Sequence, residues 1–260
     1  MKKAEGAGIV ESYWEYPAGP GEGWVRRTLR LFGIPESDIA ASLREIEEDT
    51  DLSPLEITTC LRGGELEVDV RHRDGADGAA RAVRDGLAQR HSRFMFSHDG
   101  STIDEQVAEL LKGHTLAVAE SCSAGMLAAR LTRLPGASEY FKGGVVAYSD
   151  DVKREALGVP ASLIEEHGAV SAEVAEAMAD GVLERFGTEL ACGITGIAGP
   201  DGGTEDKPIG YVCFCVKSKD GNSIARQPVI PGGREDIRER SALVALHMLR
   251  VLLKQEDPPL

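Results

Sequence analysis

No stretch of the 260 residues approaches the roughly 20 consecutive apolar positions that a membrane span requires. Lys2 and Lys3 imitate the basic start of a signal peptide, but the AEGAGIVESYWEYPAG that follows has no apolar centre, so the reading is a cytoplasmic protein. Basic residues are scarce: 29 Lys and Arg stand against 43 Asp and Glu, a net charge of −14. Such a field excludes general affinity for DNA, RNA or acidic membranes, where clustered cations supply most of the binding. It leaves room for one phosphate held locally. The five cysteines (Cys60, Cys122, Cys192, Cys213, Cys215) are odd in number and never spaced CxxC. That argues against a disulfide framework or a zinc site and for reduced thiols. The six histidines offer no HxxxH or HExxH. Walker and GxGxxG loops, internal repeats and low-complexity tracts are all missing. No metal and no cofactor are expected.

What remains is an ordinary globular composition, 42% hydrophobic and 28% charged, long enough for one large domain or two modest ones. Residues 1–25 are rich in Gly, Pro and Glu and hold both tryptophans, Trp14 and Trp24. They read as an irregular arm whose indoles pack on a second subunit, hence a homo-oligomer. Residues 26–100 read strand, helix (ESDIAASLREIEED), hairpin (LEITTCL and ELEVDVRH around Arg62-Gly63-Gly64) and helix (DGAARAVRDGLAQRH), a small α+β domain. His98-Asp99-Gly100-Ser101 marks a boundary. From 101 to 258, apolar strands alternate with amphipathic helices: a layered α/β/α domain with helices covering a sheet. Its strands are expected in TLAVAES, GGVVAYS, ELACGIT, YVCFCVKS and SIARQPVI. Its helices include SAGMLAARLTRL, SAEVAEAMADGVLERFG and a last one over 234–254. Residues 1–110 carry 13 basic and 22 acidic side chains (net −9) and residues 111–260 carry 16 and 21 (net −5), so the second half is the less acidic.

Four loops at strand or helix ends are candidates for chemistry, since ligands of α/β sheets collect at the carboxyl ends of strands. Glu120-Ser121-Cys122-Ser123-Ala124-Gly125 puts small hydroxyls at a helix start, where they serve an anion or merely cap the helix. Glu120 either contacts substrate or satisfies nearby backbone donors. Thr195 through Gly203 holds four glycines in nine residues (Gly196, Gly199, Gly202, Gly203) and leaves N–H groups free to approach a phosphate, with Lys207 just beyond. Between Ser138 and Lys153 lie a serine, a tyrosine (Tyr148) and a lysine within 16 residues. A buried lysine beside a serine acts as base toward its hydroxyl, and a tyrosine relays a proton. Pro231-Gly232-Gly233-Arg234 opens the last helix, with Arg238 one turn on, a pair that grips a phosphate or lies on a wet face. Cys122 at a helix start is a weaker candidate nucleophile.

Taken in order and spacing, AESCSAG, LPGASEYFKGGVVAYSDDVK, GAVS, TGIAGPDGGTEDKPIG and PGGRED resemble the C-terminal domain of the CinA family. That domain is the nicotinamide-nucleotide amidohydrolase (nicotinamide mononucleotide deamidase) of a family known as competence/damage-inducible proteins. The resemblance covers about 101–256. Residues 26–100 resemble the KH-like middle domain of longer members, whose N-terminal molybdopterin-binding-like domain has no counterpart in these residues. It implies a hydrolase of pyridine nucleotide salvage acting on a linear amide, with Ser138 as nucleophile, Lys153 as base and Tyr148 assisting. Ser121, Ser123, Thr195 and Arg234 would contact the mononucleotide. Glu120, Gly196, Gly199, Gly202, Gly203 and Lys207 complete the expected substrate site, which takes a small-molecule nucleotide and neither nucleic acid nor membrane. Two departures stand out. Ala124 replaces the glycine of the family's AESCTGG, adding a methyl near the expected ligand, and Arg62-Gly63-Gly64-Glu65 is not a basic GxxG clamp for RNA. The rival readings are a nucleotide-binding regulatory protein without catalysis and a dehydrogenase. The second requires Tyr-x-x-x-Lys, whereas Tyr148 and Lys153 are five apart.

Overall fold

The computed structural model describes residues 9–11 and 23–255. They fall into two compact units divided between Thr102 and Ile103.

In the first unit, β1 (Ile9–Glu11), β2 (Trp24–Phe32), α1 (Glu36–Asp49), β3 (Leu55–Arg62), β4 (Glu65–Arg73), α2 (Asp77–His91) and β5 (Met95–Ser97) follow one another. The sheet order is β1-β3-β4-β2-β5, antiparallel except for β1 beside β3. Ile39, Leu43 and Ile46 on α1 and Ala80, Val83 and Leu87 on α2 recur at helical spacing and are buried. They pack with Leu29, Leu31, Ile57, Leu66, Val68 and Val70 in one core. Gly63 and Gly64, both at positive φ, turn β3 into β4 so that Arg62 pairs with Glu65, as a two-residue hairpin requires. Arginines on β2 and β4 meet carboxylates: Arg26 with Asp69 (2.6 Å), Arg30 with Glu67, and Arg71 with Glu56 (3.7 Å). The boundary turn closes on Asp99, which accepts from the hydroxyls of Ser101 and Ser97 and from the Ser101 N–H. Those bonds hold its carboxyl down to about 2.

The expected irregular arm needs correction. Residues 9–11 form an edge strand, and Trp24 opens β2, its ring 5.1 Å from the Arg73 guanidinium and 5.6 Å from that of Arg71. Trp24 thus stacks on cations of its own unit. Trp14 lies outside the described residues.

The second unit runs α3 (Ile103–Leu110), β6 (Leu116–Glu120), α4 (Met126–Leu131), a 3₁₀ turn (Ala137–Glu139), β7 (Phe141–Val146), α5 (Asp150–Leu157), α6 (Ala161–His167), α7 (Ala172–Phe186), β8 (Leu190–Gly196), β9 (Val212–Ser218), β10 (Ser223–Arg226) and α8 (Arg234–Lys254). The sheet order is β10-β9-β8-β6-β7. The β7, β6 and β8 strands are parallel, and β9 and β10 extend the sheet antiparallel. All of β6 and nearly all of β8 are buried, which is why they read as unbroken apolar runs. On one face Val174, Ala175, Met178 and Val182 of α7 pack with Ala117, Ala119, Ala191, Cys213 and Cys215. Helix α8 covers β8 and β9 and packs with α3 and α4, completing the α/β/α sandwich. The chain leaves β6 toward β7 on one side and returns to β8 on the other, so a crevice opens at the carboxyl ends of β6 and β8.

Three expected elements shift. The helix of SAGMLAARLTRL begins only at Met126, because Ala124 and Gly125 take positive φ. Strand β7 starts two residues early, at Phe141, and β10 stops at Arg226.

Helix α7 lies flush on β8 at Gly193, where an added Cβ would sit 2.1 Å from Ala175 O and 2.9 Å from Ala179 N. Overpacking of this kind costs about 1–3 kcal/mol, and backbone yields less than a side chain does. Gly193→Ala is expected to destabilise the second unit by about 3 kcal/mol or more, read as a lower urea midpoint. An unchanged midpoint would refute the close packing.

Candidate active site

The site begins with a buried carboxylate. Glu120, the last residue of β6, is 1% exposed. Its Oε2 accepts from the Ser123 hydroxyl (2.7 Å) and the N–H groups of Gly125 (3.0 Å) and Leu127 (3.1 Å), and its Oε1 from Ala128 N–H (2.8 Å). The donors at the start of α4 thereby find a charged acceptor, and the turn 121–125 is wrapped around it. Ser121 N–H donates to Ile194 O (2.8 Å), continuing the β6–β8 pairing by one residue. From α8, Arg238 Nε donates to Cys122 O (3.2 Å) and its Nη2 reaches Ser123 O (3.5 Å).

Around this turn is a cavity of about 300 Å³ lined by Ser121, Cys122, Tyr148, Asp150, Lys153, Ala169, Val170, Thr195 to Gly199, Asp201, Gly202 and Arg234. Its size lies at the small end of ligand pockets. Ser121 is 7% exposed, and its hydroxyl has no hydrogen-bond partner among the described residues. Lys153 enters from α5, whose N-terminus is capped by the Ser149 hydroxyl accepting from Val152 N–H (3.3 Å). Its Nζ is 3.0 Å from Asp150 Oδ1. Arg234, the first residue of α8, donates to Gly199 O (2.5 Å) and to the Tyr148 hydroxyl (2.7 Å), tying the glycine loop to Tyr148. The N–H groups of Ala198, Gly199, Asp201 and Gly202 have no acceptor among the described residues, which leaves them available to an anion. Thr195 Oγ1 donates to Ala169 O (2.8 Å). Burial raises the Cys122 thiol to about 11, so it stays protonated near neutrality and is a poor nucleophile. All five cysteines are unpaired. Among the described residues no group of three or more His, Cys, Asp or Glu side chains is placed to hold a metal ion.

The cavity thus unites eight of the expected residues: Ser121, Tyr148, Lys153, Thr195, Gly196, Gly199, Gly202 and Arg234. Five others lie outside its lining. Ser138 lies exposed in the 3₁₀ turn before β7, and the adjacent Tyr140 O accepts from Leu116 N–H at the start of β6. That is the amino end of the parallel strands, and the six residues of β7 put it about 20 Å from the cavity. Ser138 is therefore not brought together with Tyr148 and Lys153. Glu120 and Ser123 satisfy each other and the turn instead of lining the cavity. Lys207 Nζ donates to His167 O and Val170 O (2.8 Å each), so its charge fixes the GAVS loop that supplies Ala169 and Val170. Gly203 is also outside the lining. Arg238 grips the Ser121 turn, not the cavity. Asp150 went unassigned in the sequence, although it sits one helical turn before Lys153.

The CinA C-terminal domain family matches residues 100–253, which contain this entire site. The chain belongs to the CinA family. Over 227 residues this CinA-family chain is 55% identical to a CinA-like protein of Mycobacterium sp. (strain JLS), covering 87% of the chain and 54% of that relative. It is 56% identical to a CinA-like protein of Mycolicibacterium vanbaalenii, covering 86% and 54%. It spans about half the length of these relatives. Among solved structures it is similar to the competence/damage inducible protein CihA of Agrobacterium tumefaciens (TM-score 0.56, 36% identity, 58% of this chain and 94% of that one). It is also similar to a CinA superfamily protein of Klebsiella pneumoniae (TM-score 0.57, 32% identity, 59% and 96%). No helix among the described residues is long and apolar enough to cross a membrane.

Ala124 does not line the cavity, although the sequence placed its methyl near the expected ligand. Its cost is conformational: at φ 51° it occupies the left-handed region. Relief of about 1–2 kcal/mol outweighs the roughly 0.5–1 kcal/mol of chain entropy that glycine adds to the unfolded state. Ala124→Gly is expected to stabilise the second unit by about 0.5–1 kcal/mol, measured as a raised urea midpoint; a lowered midpoint would contradict the strain.

Proposed function

We propose that the second unit hydrolyses the carboxamide of nicotinamide mononucleotide to nicotinate mononucleotide and ammonia. The observation that carries this reading is the convergence of the unpaired Ser121 hydroxyl, Lys153 and Tyr148 on one cavity beside free backbone N–H groups. Ser121, not Ser138, is the nucleophile. Its Oγ attacks the amide carbon while an unprotonated Lys153 Nζ accepts the hydroxyl proton. The oxyanion forms against backbone donors of the 198–202 loop, already oriented before reaction. The C–N bond breaks as Lys153 or Tyr148 returns a proton to the departing nitrogen, so ammonia leaves and an acyl-serine remains. Water, deprotonated by Lys153, adds to the ester and regenerates Ser121 with the free acid. Arg234 supplies the charge for a phosphate, and those N–H groups of the loop that do not face the oxyanion supply its donors. No step calls on a metal or a redox cofactor.

A CinA-type hydrolase of pyridine nucleotide salvage, cytoplasmic and with a small nucleotide as its partner, is the proposal that follows. The carboxylates facing the β2 and β4 arginines support a first unit that binds no nucleic acid, and homo-oligomerisation belongs to the same proposal. One observation favours a second reading. The 3.0 Å contact of Lys153 with Asp150 suits an ammonium, and a protein that binds the nucleotide without hydrolysing it would keep one there.

An ammonia-release assay on nicotinamide mononucleotide separates the two. Ser121→Ala is expected to lower turnover at least a thousandfold, roughly what loss of a covalent nucleophile costs, while Ser138→Ala stays within about twofold of the parent. Wild-type turnover in Ser121→Ala would overturn the assignment, and binding by calorimetry without ammonia would establish the second reading.

A further inference from the structure

We propose that Asp150 is a positioning residue of this site: its carboxylate fixes the Lys153 amine at the cavity wall and sets the acidity at which that amine can serve as base. The proposal rests on the hydrolytic reading above. Lys153 is almost completely buried (3% exposed), whereas the Asp150 side chain is half exposed and lines the same cavity. A lysine so enclosed keeps its charge only beside a polar partner. Among the described residues Asp150 is the one hydrogen-bond partner of Nζ, at 3.0 Å.

The geometry follows from helix periodicity. Asp150 is the first residue of α5, just after the Ser149 cap, and Lys153 is three residues on, so both side chains stand on one face. A carboxylate there is also favoured by the helix N-terminus. The other ionisable groups around the cavity come from different elements. They are Tyr148 before α5, Asp201 in the glycine loop, Arg234 on α8 and the thiol of Cys122. Arg234 is engaged by Tyr148 and Gly199 O, so Asp150 is the charge that touches the amine.

The contact has two opposed consequences. Anchoring one ammonium hydrogen removes most of the rotational freedom of a four-carbon side chain. An adjacent negative charge also favours the protonated amine, so activity that needs the free amine rises only at higher pH. Removing the charge has the reverse sign. The acidic limb of the pH profile moves down, while imprecise placement lowers the plateau.

The test compares the full chain with Asp150→Asn and Asp150→Glu. The pH dependence of kcat/KM for ammonia release from nicotinamide mononucleotide is expected to keep its shape in Asp150→Asn. Its acidic limb is expected about one pH unit lower and its plateau about tenfold lower. Asp150→Glu restores the limb toward the parent position. A uniform loss at every pH, with the limb unmoved, is what a purely structural helix-cap role gives, and it would overturn the proposal. The second readout needs no turnover: the ¹⁵N resonance of Lys153 Nζ, assigned by its loss in Lys153→Arg, is titrated in parent and Asp150→Asn. A titration displaced to lower pH in the variant supports the proposal, and coincident titrations overturn it. If the parent releases no ammonia, the hydrolytic reading fails by itself, and the Nζ titration still decides whether Asp150 governs the amine.

Discussion

The buried carboxylate of Glu120 is the constraint around which the site is built. A charge at 1% exposure is tolerated only when its oxygens are filled, and here one hydroxyl and three backbone N–H groups fill them. All four donors come from the segment that follows it, so satisfying the charge folds residues 121–128 into one shape. Ser121 is then held over the end of β6, its N–H on β8 and its hydroxyl unengaged. Arg238 holds the turn from the far side through two carbonyls. The nucleophile proposed here makes few bonds because the residues beside it make many.

The cavity walls are held by the same logic, with polar side chains bonded to backbone carbonyls. Lys207 and Thr195 hold the 167–170 loop, and Arg234 holds Gly199. These ties cross between segments far apart in the chain and leave the backbone donors of the 198–202 loop unspent. The proposed phosphate site needs no basic surface, because its local donors are N–H groups and one arginine. The net charge of −14 describes the average surface and says nothing against such a cradle.

Much of this was legible in the sequence where local chemistry decides. Helix α8 runs from Arg234 to Lys254 as its periodicity predicts, the two helices of the first unit hold their expected limits, and Gly63-Gly64 makes the hairpin. The Gly-rich loop was found because four glycines in nine residues after an apolar strand have few other uses. Ser138 is near Tyr148 and Lys153 in sequence but not in space. Strand β7 intervenes, and a strand carries the chain the full depth of the sheet. Lys207 and Ser123 stand outside the cavity lining for another reason. Their chemistry suits a ligand as well as it suits a carbonyl or a carboxylate, and no spacing rule tells the two apart. Asp150 carried a readable signal, since an acid three residues before a lysine at a helix start shares its face.

By itself, then, the sequence determined the order of elements, the layered architecture, the family and the loops that gather at the strand ends. The family rests on the resemblance of ordered motifs; the others rest on periodicity, turn chemistry and apolar patterning, all of which act within a few residues. The tertiary structure alone decided which hydroxyl shares a cavity with Lys153 and which cations are spent on carbonyls. That choice depends on which end of a parallel strand each loop occupies and on which buried donors and acceptors must be satisfied first. Both are properties of the packed sheet, and neither is carried by any single segment.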